Sequence, residues 1–434
     1  MKSSSILFGI ITFLSAGFHS AEATVINVCK SCTVTTVKEG IALAQPYDTV
    51  LIQSGEYLEH TIVIDKPLVL LGEGLPVIDA EFEAGIIEIR SDSVVLDGLQ
   101  IQKVGVSYTK DFAAILINRS KNFEIRNCVL KDVFFGILIE KSHYGKIYDN
   151  NISSQAVEQY NSGNGVHGWH CTNLEIMNNE LSNLRDGIYL EFVDESKIYG
   201  NSSHNNLRYG LHFMFSNHDE YFDNVFTENG AGVAVMFSKF INMKRNHFFK
   251  NWGTASYGLL LKEIYDAEIE NNIFEENTIG IFVEGSTRVN YIGNDFTSNG
   301  WALKIAGGCY ANLFKANNFL NNSFDVSYNT KMNDNGFEGN YWSSYAGYDL
   351  DRDGIGDVPY RPVKLFSYVV NRTPETIILL RSLFIDILNF SEKVSPSFTP
   401  DELVDNAPNM HRLNAVSYTH LTLPTINGEW RGRG

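Results

Sequence analysis

Between Gly136 and Asn322 two short patterns return at one shared interval. A glycine opens a run of alternating residues at Gly187, Gly210, Gly232, Gly258 and Gly280, in steps of 23, 22, 26 and 22 residues. Asparagine pairs spaced by five follow at Asn201/Asn206, Asn224/Asn229, Asn246/Asn251, Asn272/Asn277, Asn294/Asn299 and Asn317/Asn322, in steps of 23, 22, 26, 22 and 23. Both series lengthen at the same place, so a single inserted loop explains both. A period near 22 built on strands defines a solenoid. Alternation every second residue excludes helical repeats, and a leucine-rich consensus is absent. The predicted fold is therefore all-β: a right-handed, single-stranded parallel β-helix with a short N-terminal capping helix and a C-terminal helix. Successive coils should lie about 4.8 Å apart, like residue over like. Asparagine is expected at the corners, for its tolerance of left-handed backbone and its amide bonds along the stack.

Alternation also assigns faces. The first and third residues after each glycine form the core: Ile137/Ile139, Val166/Gly168, Ile188/Leu190, Leu211/Phe213, Val233/Val235, Leu259/Leu261 and Ile281/Val283. The second and fourth point out: Leu138/Glu140, His167/Trp169, Tyr189/Glu191, His212/Met214, Ala234/Met236, Leu260/Lys262 and Phe282/Glu284. An exposed strip of aromatic and methionine side chains marks a surface that binds something.

Met1 to Ala23 reads as a secretory signal peptide, with Lys2, an apolar run from Ile6 to Phe18 and a small-x-small site at Ala21-Glu22-Ala23. That places the mature protein in an exported compartment. No later stretch reaches the ~18 apolar residues of a membrane span. A net charge of -17 argues against nucleic acid. Cys29 and Cys32 are expected to form a small disulfide fastening the N-terminal cap, with a redox or metal role as the sharper alternative. Cys128, Cys171 and Cys309 read as core residues.

The β-helix with its cap is assigned to residues 24–345. Residues 346–412 hold an Asp-rich turn and a helix, and 413–434 read as a foreign tail resembling translated adapter DNA, so the natural C-terminus is expected to be missing. Val37 to Ala44 has the helical spacing of the N-terminal cap. Ala156 to His170 lengthens one coil next to His167 and Trp169. Asp349, Asp351 and Asp353 with Gly354 open a calcium-type loop, and Asp357 falls at its ninth position. Tyr360 stands where an EF-hand needs Glu. The turn either binds calcium or is held by its own side-chain-to-backbone bonds. Thr373-Pro374-Glu375 starts a helix whose apolar part, Ile377 to Leu388, caps the far end or docks on a partner.

Several blocks resemble one family: Arg185-Asp-Gly-Ile-Tyr-Leu-Glu-Phe, Asn206-Leu-Arg-Tyr-Gly-Leu-His-Phe-Met-Phe-Ser, Asn229-Gly-Ala-Gly-Val-Ala-Val-Met, Asn251 to Lys262, and Gly339-Asn-Tyr-Trp to Pro362. They are similar to the NosD family, periplasmic maturation factors of nitrous oxide reductase. The resemblance implies an accessory role rather than an enzyme. It implies work with an ABC transporter in assembling the copper-sulfur centre of the reductase, and binding of copper or a sulfur species. Met214 and Met236 should stack on neighbouring coils with His212 on the same face, and thioethers with imidazole suit cuprous copper. The same three side chains could instead pack beneath a loop or against a partner. His167, Trp169, Tyr189, Glu191, Lys262 and Phe282 are expected to form a docking surface for the reductase or the transporter. The rival reading is a β-helix polysaccharide lyase, epimerase or hydrolase acting on uronate polymers. Glu140, Glu191 and Glu284 are two or more coils apart, too far for a concerted pair. A binding-only adhesin is a third possibility.

Overall fold

Three parallel sheets of 14, 12 and 13 strands run the length of the computed structural model, and each coil adds one strand to each. The structure describes residues 23–107, 109–253, 255–329, 334–394 and 403–414. The expected signal peptide, save Ala23, and residues 415–434 of the expected tail lie outside the described residues. Register follows the glycine repeat: Ile188 pairs with Leu211, Leu211 with Val233, Val233 with Leu259 and Leu259 with Ile281. These inward residues are fully buried, as alternation requires.

Like-over-like stacking fills the interior with aromatic rows. Phe226, Phe248, Phe274, Phe296, Phe319 and Trp342 stack in sequence, as do Tyr291, Phe314 and Phe337. Each ring removed from water contributes roughly 1.5–3 kcal/mol. Cys128, Cys171 and Cys309 are buried free thiols.

The asparagines behave differently from expectation at one point. They are buried and point inward, and the left-handed residue is the one just before: Asp223 before Asn224, Arg245 before Asn246, Asn271 before Asn272, Gly293 before Asn294. The asparagine is needed for its amide, not its backbone. Asn246 Nδ2 donates to the Tyr221 carbonyl and to Asn272 Oδ1, while Asn246 Oδ1 accepts from the Asn224 amide and backbone N–H. The neighbour that turns the corner can then be almost any residue.

At the N-terminal end, helix Val37–Leu43 covers the first coils. Thr36 caps it, and the Glu59 carboxylate accepts the N–H groups of Val37 and Lys38. A β-carbon on Gly40 would meet Val28 Cγ2 at 2.6 Å, so glycine lets the helix sit close. Cys29 and Cys32 form the expected disulfide.

The far end departs from the sequence reading. The helix expected from Thr373 is split into a 3-10 stretch, Pro374–Leu379, and an α-helix, Leu383–Val394, and a helix at Leu365–Arg372 precedes both. Phe366, Val370 and Ile385 pack on the outward rings of Trp301 and Phe324, so this unit leans on the side of the solenoid. The last coil is closed instead by residues 403–413. Asp405 pairs beside Phe337 and Tyr360, and Asn409 beside Tyr341. Leu413 exchanges hydrogen bonds with Asn318. No helix among the described residues is long and apolar enough to cross a membrane.

Candidate functional site

The second sheet runs from strand Ile62–Ile64 to strand Phe324–Tyr328. Its outward side stacks Leu138, His167, Tyr189, His212, Ala234, Leu260 and Phe282 in one column. Beside it run Glu140, Trp169, Glu191, Met214, Met236, Lys262 and Glu284. Every partner-surface residue and both methionines lie on this side. They are less exposed than alternation alone suggests: Leu138, His212, Ala234 and Leu260 are buried. Residues just ahead of each glycine fold back over the strand. Phe135 covers the lower part, and Tyr209 and Tyr257 meet across Ala231 and Ala234, their hydroxyls 3.4 Å apart.

Three residues that alternation does not single out organise the middle of the face. Asp186, fully buried, takes a two-pronged bond from Arg208: Nε to Oδ1 at 3.1 Å and Nη2 to Oδ2 at 3.0 Å. Arg185 stands 3.8 Å from the same carboxylate. Its Nε donates to Asn164 Oδ1 at 3.2 Å. Asn164 is buried at the end of the lengthened coil, so the insertion delivers a polar group to the face. Burial pushes the Asp186 carboxyl up, against the opposing pull of Arg208 and Arg185.

Arg208 holds one histidine directly, and Arg185 reaches the other through Asn164. Arg208 Nη2 donates to His212 Nδ1 at 3.0 Å. A guanidinium cannot accept, so the proton of neutral His212 sits on Nε2. That nitrogen is buried and has no hydrogen-bond partner among the described residues. Desolvation, reinforced by Arg208 and Arg185, pushes His212 down to about 3. His167 Nδ1 faces the Asn164 amide at 3.2 Å, and burial followed by Arg185 pushes it down to about 4. Tyr189 lies between the two imidazoles, with ring centroids 4.6 and 5.0 Å away, and its hydroxyl reaches Glu191 at 3.4 Å.

Met214 and Met236 are register partners, half-buried on one outward column. Lys262 pairs with Glu284 at 3.5 Å, and Lys141 sits over the Trp169 ring. Around the adjoining corner His170, Phe192, Phe215 and Phe237 stack at 4.6, 5.1 and 5.1 Å, all with left-handed backbone. Alternation breaks at that corner, which hid this ladder from the sequence reading; the recurrence of an aromatic five residues after the glycine was the available signal. Glu140 and Glu191 are separated by the Trp169 coil, roughly 10 Å.

In the Asp-rich turn, Asp349, Asp351 and Asp353 bring carboxylate oxygens within 4.8 Å of one another. The turn also ties itself together. Asp349 accepts from Arg352 and Gly354, Asp353 from Ile355, and Asp357 from Leu350. Its shape therefore needs no ion. A separate hollow of about 750 Å³ lies between the last coil and the C-terminal helices, where burial pushes Asp325 up to about 6.

Together these features define a parallel β-helix protein with one developed outward face. The family model described as "Periplasmic copper-binding protein (NosD)" matches residues 148–347, a span that holds the face from Asn164 to Glu284. A protein of Pseudomonas aeruginosa named "Probable ABC transporter binding protein NosD" is 26% identical over 375 residues, covering 83% of this chain and 87% of that protein. One of the same name from Stutzerimonas stutzeri is 25% identical over 379 residues, covering 83% and 86%. The chain is thus similar to the NosD family in its central coils and to two proteins of that name over most of its length. Among solved structures, a family 28 exopolygalacturonase of Yersinia enterocolitica aligns with a TM-score of 0.52 over 73% of this chain and 79% of that one, at 10% identity. That likeness shows the fold alone.

Proposed function

We propose that the protein is an exported, periplasmic accessory factor that works with an ABC transporter in maturing the copper-sulfur centre of nitrous oxide reductase, with copper as cargo. The observation that carries this reading is the extent of the family likeness: proteins named as ABC transporter binding proteins align over 83% of the chain. The developed face falls inside the matched span. The C-terminal helix adds support for a partner, since Leu383, Phe384, Ile387 and Phe390 are exposed along it.

Met214 and Met236 fit cuprous copper, being soft donors one strand spacing apart, about 4.8 Å. His212 would join them only if Arg208 releases Nδ1, because its other nitrogen carries the proton. Trp169, Tyr189, Glu191, Lys262 and Phe282 would form the rim that meets the reductase or transporter, with His167 beneath. The test is cuprous titration against a chromophoric competitor. A Met214→Leu/Met236→Leu double variant should bind at least ~10-fold more weakly, in line with loss of two ligands. Unchanged affinity would remove the copper site. The accessory role is checked separately, by copurification with the transporter permease and by the copper content of reductase matured with and without this protein. A fully loaded reductase in its absence would end that reading.

A further inference from the structure

The Arg185–Arg208 cluster has a role that copper handling does not use. Two guanidiniums face one carboxylate there, Asp186, in a protein of net charge -17. Arg208 spends its fork on Asp186 and one bond on His212, and lies over the Tyr209 ring. Among the described residues Arg185 hydrogen-bonds through Nε alone, to Asn164, which leaves both of its terminal nitrogens without a hydrogen bond there. Asp186 is the carboxylate that acts on Arg185, while Glu191 faces the Tyr189 hydroxyl. The cluster is therefore left with one uncompensated positive charge and an unused planar pair of N–H donors. The independent sign is His212: it is 6% exposed, and its Nε2–H is a buried donor with no acceptor among the described residues. An unmet buried donor costs stability unless a partner arrives. The unused groups of both Arg185 and His212 are donors, which selects an acceptor.

We infer that this cluster is a binding site for a small carboxylate monoanion, gripped by the free end of Arg185 and supported by Arg208 and the His212 N–H. A planar carboxylate matches a guanidinium fork in two parallel bonds, and a single negative charge balances the surplus. Tyr209, Tyr257, Ala231 and Ala234 wall one side with apolar surface, which strengthens the charge contact by lowering the local dielectric.

The experiment titrates the full-length folded protein with acetate at constant ionic strength in chloride, following the ¹⁵N signals of selectively labelled histidines and binding heat. Acetate should give a saturable shift of the His212 Nε2–H signal. Acetamide, equal in shape and uncharged, should give none. Arg185→Gln should weaken acetate by about tenfold, and Arg185→Lys, which keeps the charge and loses the fork, by less. Should the Gln variant fail to fold, the Lys variant carries the comparison. A tripeptide with a free C-terminal carboxylate serves as a second arm: binding of the peptide alone assigns the carboxylate to a protein partner, and binding of acetate assigns it to a free small molecule. Absence of any response to both probes, an equal response to acetamide, or wild-type affinity in both Arg185 variants overturns the site. None of these outcomes depends on copper, so the site can fail while the accessory role stands.

Discussion

His167 shows how one coil insertion sets the chemistry of a single residue. The lengthened loop places Asn164 against its Nδ1 and Arg185 nearby, and burial does the rest. Its folded pKa, about 4, lies below the ordinary value of about 6.5. Protonation therefore favours the unfolded chain. The stability this contributes is fully present above about pH 6.5 and is lost as pH falls toward 4. The loss from this one group is on the order of 2 kcal/mol after allowance for its partial exposure. His167→Gln cannot titrate there, so urea unfolding at a series of pH values should show a flatter acid limb by that amount. An acid limb identical to wild type would mean that His167 is not held neutral. The outward side of His167 was legible from alternation. The grip of Arg185, Asp186 and Arg208 was not, because residues ahead of the glycine read as loop and nothing in a period of two says they fold back across the strand.

At the scale of one element, the asparagine ladder carries what the sheets leave unfinished. Each asparagine corner strands a carbonyl and an N–H inside the rod, and the ladder amide meets both. The period near 22 was legible because this need recurs in every coil and only asparagine offers donor and acceptor at that reach. Its backbone role was misread, since left-handed geometry is correct for the corner but belongs to the preceding residue. Replacing Asn246 with Ala orphans the Tyr221 carbonyl and the Asn224 N–H at once, and should cost about 2–4 kcal/mol. Asn151→Ala, at an exposed strand position, should cost no more than about 0.5 kcal/mol. Equal losses in chemical denaturation would deny the ladder its special place.

A rod of parallel coils has two open ends, and unpaired strand edges invite a second chain. The N-terminal end is closed by a helix whose pattern is local, so the sequence shows it. The C-terminal end is closed from far away. Asp405 stands where the next ladder asparagine would be, and its carboxylate accepts from the N–H groups of Gly339 and Asn340, the Asn340 amide and the Trp342 indole. An acid is better than an amide at this one step, since every partner, the Ala407 N–H included, is a donor and no further coil needs a donor back. The acid arrives from 65 residues beyond Asn340, which no local periodicity reveals. Asp405→Ala leaves those donors buried and unmet, and should destabilise by about 3 kcal/mol or more. Asp405→Asn, which restores one acceptor, should fall between. Released from its cap, the last coil offers its edge, so the Ala variant should also self-associate with rising concentration in light scattering after size exclusion. A monodisperse Ala variant with the wild-type melting temperature would show that residues 403–413 lie on the rod without closing it.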